Sequence, residues 1–336
     1  MRSPSRPARP AYLRRVAIAG ALLLGIGSIT APPAAAAGLT TTDDALQQAV
    51  DRSVANAAVD GIIQSISVVD RRTGEVVADR GGGRQYISES IVKLFTAAYY
   101  LSRANGQPDE QMRQTLRTMI ENSDDDIESD LWNVDIVPAM ADRYGLSHTA
   151  NGPKTGPHDW GWELITADDE TRFLSEMAND PAVSPVLLDA MAHSAPTAAD
   201  GTNQAFGMNA LTGDHGSKQG WTDAGAEWAE QAQIHSVGWT DRYFVAILET
   251  STDSDFAAMT AESTNAARAV LRSESGDPAG PTPAAAEPVP PTATTPGPSG
   301  GTPTTSDPPT GVIPVLRHDL DVILADVAAL IDHWSH

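Results

Sequence analysis

The sequence predicts an α+β domain: an antiparallel sheet with flanking helices and a separate helical block. Two observations predict it. The patterning runs helix, strand pair, a series of helices, three strands and a closing helix. The helices between the two groups of strands are consecutive, so they segregate from the sheet instead of alternating with it.

The elements follow in order. Thr42-Asp43-Asp44 is a helix-start signal for a helix running to about Val59. Residues 62–70 and 75–79 flank the turn Arg71-Arg72-Thr73-Gly74 and read as a β-hairpin. A buried helix starts near Ser88, and everything from Leu94 to Leu101 is small or apolar. Helical stretches continue over 109–121, 126–132 and 136–144, followed by a Gly/Pro/His-rich loop at 147–162. Thr166-Ala167-Asp168-Asp169 caps another helix to about Ala178, and 184–193 is one more. Residues 217–222, 231–238 and 243–250 form a three-stranded meander, and a helix over 255–271 closes the domain.

Outside this domain, 38–275, composition changes. Residues 1–37 read as a secretory signal: five arginines, an apolar run over 16–29, then Pro-Pro-Ala-Ala-Ala-Ala as a small-residue cleavage site. The apolar run is shorter than the roughly 20 residues of a membrane span, so no transmembrane span is expected after cleavage. Residues 276–314 are rich in Pro, Thr, Gly and Ser and read as a disordered linker. Residues 315–336 carry one apolar face, including Leu316, Leu320, Ile323, Val327 and Ile331, and read as an amphipathic helix on which a partner can dock. The formal net charge is −22, and loss of residues 1–37 takes it to −27. That charge argues against nucleic acid and anionic membrane surfaces and fits a secreted, extracytoplasmic protein. There is no cysteine, hence no disulfide, no thiolate metal site and no cysteine-linked lipid. The histidines are scattered; no metal and no cofactor is expected.

The chain has three lysines, Lys93, Lys154 and Lys218, against 19 arginines. A chain that uses arginine wherever it needs positive charge reserves lysine for what arginine cannot do, which is to become a neutral base. Ser90 and Lys93 are three residues apart on the predicted helix, roughly 5–6 Å between Cβ atoms, so the amine can take a proton from the hydroxyl. Ser90 also reads as a helix N-cap. Two further pieces weigh against that plain role: Ser123-Asp124-Asp125 after the next helix, and Lys218-Gln219-Gly220 opening the late meander.

Together these resemble the Ser-x-x-Lys, Ser-Asp-Asn and Lys-Thr-Gly signature of penicillin-recognising serine enzymes. Over residues 40–272 the order of elements resembles class A β-lactamases, which implies a β-lactamase/transpeptidase-like fold. Lys154-Thr155-Gly156 spells the third motif outright, but it lies in the Pro/Gly/His loop, whereas Lys218 opens a strand. The resemblance implies that Ser90 is the nucleophile and Lys93 its base. It implies that Ser123 relays a proton, that Lys218 attracts a substrate carboxylate, and that Asp125, Gln219, Gly220 and Trp221 contact substrate. Backbone N–H groups of Ser90 and of the Lys218 strand near Thr222 would form the oxyanion hole. The implied substrate is a β-lactam or a peptidoglycan stem-like peptide.

Three departures qualify the expected activity. Asp125 stands where an asparagine amide is usual; beside Lys93 it would favour the ammonium. Gln219 replaces a hydroxyl residue, and the bulky Trp221 follows Gly220. The loop lacks the deacylating glutamate of class A β-lactamases, with Glu163 and Asp159 the nearest carboxylates. The resulting expectation is an exported serine hydrolase. The alternatives are a weak or inactive relative that binds cell wall or protein, and a D-alanyl carboxypeptidase or transpeptidase. His235 is read as structural, and Trp160, Trp162 and Trp221 as lying at or near the cleft.

Overall fold

The computed structural model describes residues 42–223, 231–252 and 255–274. Contacts divide the chain into two units, Met1–Gly280 and Pro281–His336, and every described residue belongs to the first. The predicted signal, linker and terminal helix lie outside the described residues.

Helix α1, Thr42–Val59, leads into the hairpin β1, Ile63–Asp70, and β2, Val76–Arg80. A short strand β3, Gln85–Ile87, precedes a 3-10 turn, Glu89–Ile91, and helix α2, Val92–Arg103. The helical block contains α3 Glu110–Asn122, α4 Asp125–Leu131, α5 Ile136–Tyr144, α6 Ala167–Ala178 and α7 Ser184–Ala192, with β4, Leu164–Thr166, entering α6. The last strands are β5 His215–Thr222, β6 Ala232–Thr240 and β7 Tyr243–Ser251, and α8, Phe256–Glu274, follows.

The main sheet has the order β2-β1-β7-β6-β5, every neighbouring pair antiparallel. The architecture is the α+β arrangement expected from the sequence. The pairing of β3 with β4 is an addition: each strand has three residues, too few to show a period.

Every residue of β7 is buried because the sheet is covered on both faces. Its side chains divide with the strand period of two. Val245 and Ile247 pack with Leu46 and Val50 of α1 and Ala266 and Val270 of α8. Phe244, Ala246 and Leu248 join the larger core around α2 and α6, with Leu94, Phe95, Phe173 and Leu174. Helix α2 is buried without a break from Val92 to Ala98, so this core surrounds it.

The caps are the ones the sequence signals: Thr166 Oγ1 accepts from Asp169 N at 3.1 Å, and Asp124 Oδ1 from Ile127 N at 3.0 Å. Asp124 therefore starts α4. His235, on β6, is fully buried. Its ring bonds the Ile87 carbonyl oxygen at 2.7 Å, and burial lowers its pKa to about 4. It ties the sheet to the segment just before the 3-10 turn.

The loop between α5 and β4 closes against that same segment. Ser88 N donates to Glu163 O at 2.7 Å and Glu89 N to Gly161 O at 3.0 Å. At Gly152 a Cβ would collide with the backbone oxygen of Trp162. Gly152→Ala is expected to cost about 1–3 kcal/mol, the usual penalty for overpacking, read as a lower urea midpoint. An unchanged midpoint would show that the loop yields at this point.

Candidate active site

Ser90 lies in the 3-10 turn leading into α2, and no side chain caps either that turn or α2. The hydroxyl is therefore not spent on the helix start. Its partner is Lys93, whose Nζ donates to Ser90 Oγ at 2.8 Å. Lys93 has no exposed surface. The same Nζ pairs with Asp125 Oδ1 at 2.8 Å and lies 4.0 Å from the centre of the Trp160 ring. A carboxylate and an aromatic face are both partners for a positive charge.

A second serine–lysine pair stands beside the first. Lys218 Nζ donates to Ser123 Oγ at 2.8 Å and to the carbonyl oxygen of Gln219 at 2.6 Å. Ser123 closes α3 in the left-handed conformation, φ 52°, a position uncommon for a residue with a Cβ. Burial, with the charge of Lys93 adding to it, pushes the Lys218 ammonium well below its ordinary pKa.

The turn around Ser90 is strained. Glu89 has φ 47°, a conformation that costs of order 1–3 kcal/mol and persists only where its surroundings enforce it. Here the 147–162 loop holds one side and β5 the other. A Cβ on Gly220 would lie 3.1 Å from Ser88 O, 3.1 Å from Ile91 Cγ1 and 3.3 Å from Glu89 Cβ. Glycine at this position lets β5 seat against the turn. That corrects one expectation: the open side of Gly220 is filled by the turn and is not left for substrate.

Gln219 is a second correction. Strand alternation turns it away from Lys218, and its buried amide donates to Ser217 Oγ at 3.0 Å and Ser236 Oγ at 3.4 Å. It does not line the cleft. Trp221 does, and it packs edge-on to Phe206 at the end of β5. Lys154-Thr155-Gly156 stays in the loop: Lys154 is exposed and stacks 4.2 Å from the Trp162 ring centre.

The cleft above Ser90 has a volume of about 750 Å³. Asp125, Asp159, Trp160, Trp162 and Trp221 line it. Glu163 does not. It is fully buried, with Oε2 accepting from Ser88 Oγ at 3.0 Å and Gly161 N at 2.8 Å, and Oε1 from Thr155 Oγ1 at 3.1 Å. Its oxygens hold the loop to the nucleophile's turn.

Two carboxyls near the site escape the sequence reading. Glu89 is 7 % exposed, lines the cleft beside Ser90, and has no hydrogen-bond partner for its carboxyl among the described residues. Burial pushes its pKa well up, against the pull of Lys93. Glu128 is fully buried and accepts from Thr96 Oγ1 at 2.7 Å. Burial raises it to about 7 against the attraction of Lys93. In sequence both sit in the first turn of a helix, where an acid is ordinary dipole complement; nothing in their spacing signals burial.

The fold is that of class A β-lactamases. It superposes on the class A β-lactamase of Bacteroides cellulosilyticus with a TM-score of 0.55 at 11 % identity, covering 69 % of this chain and 99 % of that one. For the class A β-lactamase of Mycobacterium abscessus the TM-score is 0.52 at 14 % identity, over 68 % of this chain and 99 % of the other. No family model matches the chain. In sequence it is 30 % identical over 264 residues to the "Putative lipoprotein LppW" of Mycobacterium tuberculosis and of Mycobacterium bovis, spanning 73 % of this chain and 81 % of theirs. The chain belongs to the LppW family. This LppW relative contains no cysteine in its 336 residues, so a cysteine-linked lipid has no attachment point in them.

Glu128 gives this LppW relative a pH signature. A carboxyl raised from 4.5 to about 7 on folding stabilises the native state only while it is protonated, so its contribution is lost as pH rises from about 4.5 to about 7. Glu128→Gln should therefore gain on wild type by about 3 kcal/mol between pH 4 and pH 8, measured by urea unfolding at both. A gap independent of pH would mean that Glu128 is not buried in its acid form.

Proposed function

We propose that the protein is an extracytoplasmic serine hydrolase of the β-lactamase-like superfamily, acting by acyl transfer through Ser90. The observation that carries this reading is the 2.8 Å bond between Lys93 Nζ and Ser90 Oγ at the floor of an open cleft, with neither group spent on capping a helix. The extracytoplasmic location draws on the predicted signal and on the lipoprotein name of the mycobacterial relatives.

In this reading Ser90 Oγ attacks a carbonyl carbon. The new C–O bond replaces the bond to the leaving nitrogen or oxygen, and the hydroxyl proton passes through Lys93 and Ser123 to the leaving group. Lys218, bonded to Ser123, orients that relay. Lys93 must give up its proton first, and Asp125 opposes this by pairing with it at 2.8 Å. Glu163, committed to Ser88, Gly161 and Thr155, is not free to activate a deacylating water. On this reading the Lys93–Asp125 pairing slows acylation, and the acyl-enzyme is slow to hydrolyse. The Lys93–Asp125 pair equally favours a second reading, a binding module on a hydrolase scaffold.

Intact-mass spectrometry after incubation with β-lactams and with activated aryl esters separates the two. An adduct is expected in the wild type and absent in Ser90→Ala; an unmodified wild type across the panel would sink the acyl-transfer reading. Asp125→Asn removes the carboxylate from Lys93 and is expected to raise the rate of adduct formation at pH 7 about tenfold, equivalent to about 1.4 kcal/mol in the barrier. A rate that stays the same or falls would show that Asp125 is not what restrains Lys93.

A further inference from the structure

The charge around the cleft does not suit the substrate that the sequence motifs imply. Among the described residues its lining holds five carboxyl side chains, Glu89, Asp125, Asp159, Asp200 and Asp223, one histidine, His158, and neither lysine nor arginine. The two lysines beneath it have no exposed surface and are already engaged. Lys93 holds Ser90 and Asp125; Lys218 holds Ser123 and the Gln219 carbonyl. A substrate carboxylate entering here would meet like charges at the rim and find no uncommitted cation below.

The cleft offers more than a cluster of acids. Glu89 is a polar side chain more than nine-tenths buried at the floor beside the nucleophile, and its carboxyl has no hydrogen-bond partner among the described residues while its oxygens remain reachable from the cleft. A group that donates to it there adds the bond it lacks. The walls supply the second recognition element for a cation. Trp160 and Trp162 line the cleft, and each already carries a lysine ammonium near one face, Lys93 at 4.0 Å and Lys154 at 4.2 Å. Aromatic faces flanked by carboxylates are the usual setting for an alkylammonium or guanidinium group. The net charge of −22 steers such a ligand toward the protein.

We propose that the acyl donor taken by this cleft carries a cationic group, an ammonium or guanidinium, which seats between Glu89 and the tryptophan wall. The inference rests on the acyl-transfer reading for its chemistry and on the cleft alone for its charge preference. Ser90 forms the C–O bond as before, and the cation takes no part in the bonds made or broken. Asp159, Asp200 and Asp223 select for the cation at the entrance, and Glu89 selects for it at the floor.

Three p-nitrophenyl esters of matched length test it: one ending in guanidinium, one in the neutral urea and one in carboxylate. Acylation of Ser90 is followed by intact mass in the full-length protein. The cationic ester is expected to react at least tenfold faster than the neutral one, and the carboxylate ester slower than both. The cationic preference should fall at least fivefold in Glu89→Gln and in the double variant Asp159→Asn/Asp223→Asn, which keeps the floor intact if Glu89→Gln fails to fold. Equal rates for the three esters, or a preference for the carboxylate, would overturn the inference. If no ester acylates Ser90, the acyl-transfer reading fails and the charge preference is read separately. The corresponding guanidinium and carboxylate primary amides are then titrated by tryptophan fluorescence. Tenfold tighter binding of the cation supports the inference, and equal or reversed affinities reject it.

Discussion

Two lysine side chains without exposed surface stand at the centre of this domain, and the rest of the structure accommodates them. Removing an ammonium from water costs several kcal/mol unless its hydrogens find acceptors. Each amine here finds a serine hydroxyl at 2.8 Å and one further oxygen: a carboxylate for Lys93, a backbone carbonyl for Lys218. The difference between those second acceptors divides the roles. A carboxylate offers Lys93 an opposite charge. A neutral carbonyl leaves Lys218 open to the effects of burial and of its neighbour's charge, which drive its pKa down. Two buried lysines, each bonded to a serine, thus stand side by side with different second acceptors.

Holding those groups in register requires backbone that relaxed chains avoid. Glu89 and Ser123, beside or within the two serine–lysine pairs, take positive φ. Both are braced by neighbours in sequence-distant elements. The loop end at Gly161–Glu163 and the edge strand β5 clamp the Glu89 turn from two sides, and the segment after α7 closes on the end of α3 through Ala195 N to Glu121 O and Ala199 N to Asn122 O. The buried acids take part in this bracing. Glu163 spends both oxygens on loop and turn, so the acid directly before the β4 strand is used for shape.

Much of the fold is legible in the sequence, and so are four residues that the structure brings together in two pairs. Helix starts at Thr166 and after Asp109 carry side-chain oxygens that cap them in the structure. Ser90, Lys93, Ser123 and Lys218 stand out because lysine is scarce and the serines fall at fixed offsets from helix boundaries. Gln219 and Gly220 are a different case. The two-residue period of a strand already puts Lys218 and Gln219 on opposite faces, and a reading that gives both to the cleft conflicts with it. Gly220 shares the face of Lys218, but what fills its open side is the Glu89 turn, 129 to 132 positions earlier in the chain. Glu89 and Glu128 are illegible because their burial depends on contacts made across the domain, while locally they look like ordinary first-turn acids.

The carboxyls explain why the domain keeps the frame of a penicillin-recognising enzyme while presenting a different surface to its ligand. In the motif pattern a neutral amide stands at the third position of the second motif, where it can donate to substrate; Asp125 can only accept when ionised. Here it accepts from Lys93 Nζ at 2.8 Å. That single change couples the entrance of the cleft to its base, because Asp125 is half exposed, at 55 % of its side chain, while its partner is fully buried. On the proposed reading, a cationic group passing the rim would meet the Asp125 carboxylate on its way to the floor. The charge of the ligand and the contacts of the amine nearest Ser90 would then be linked through one exposed carboxylate.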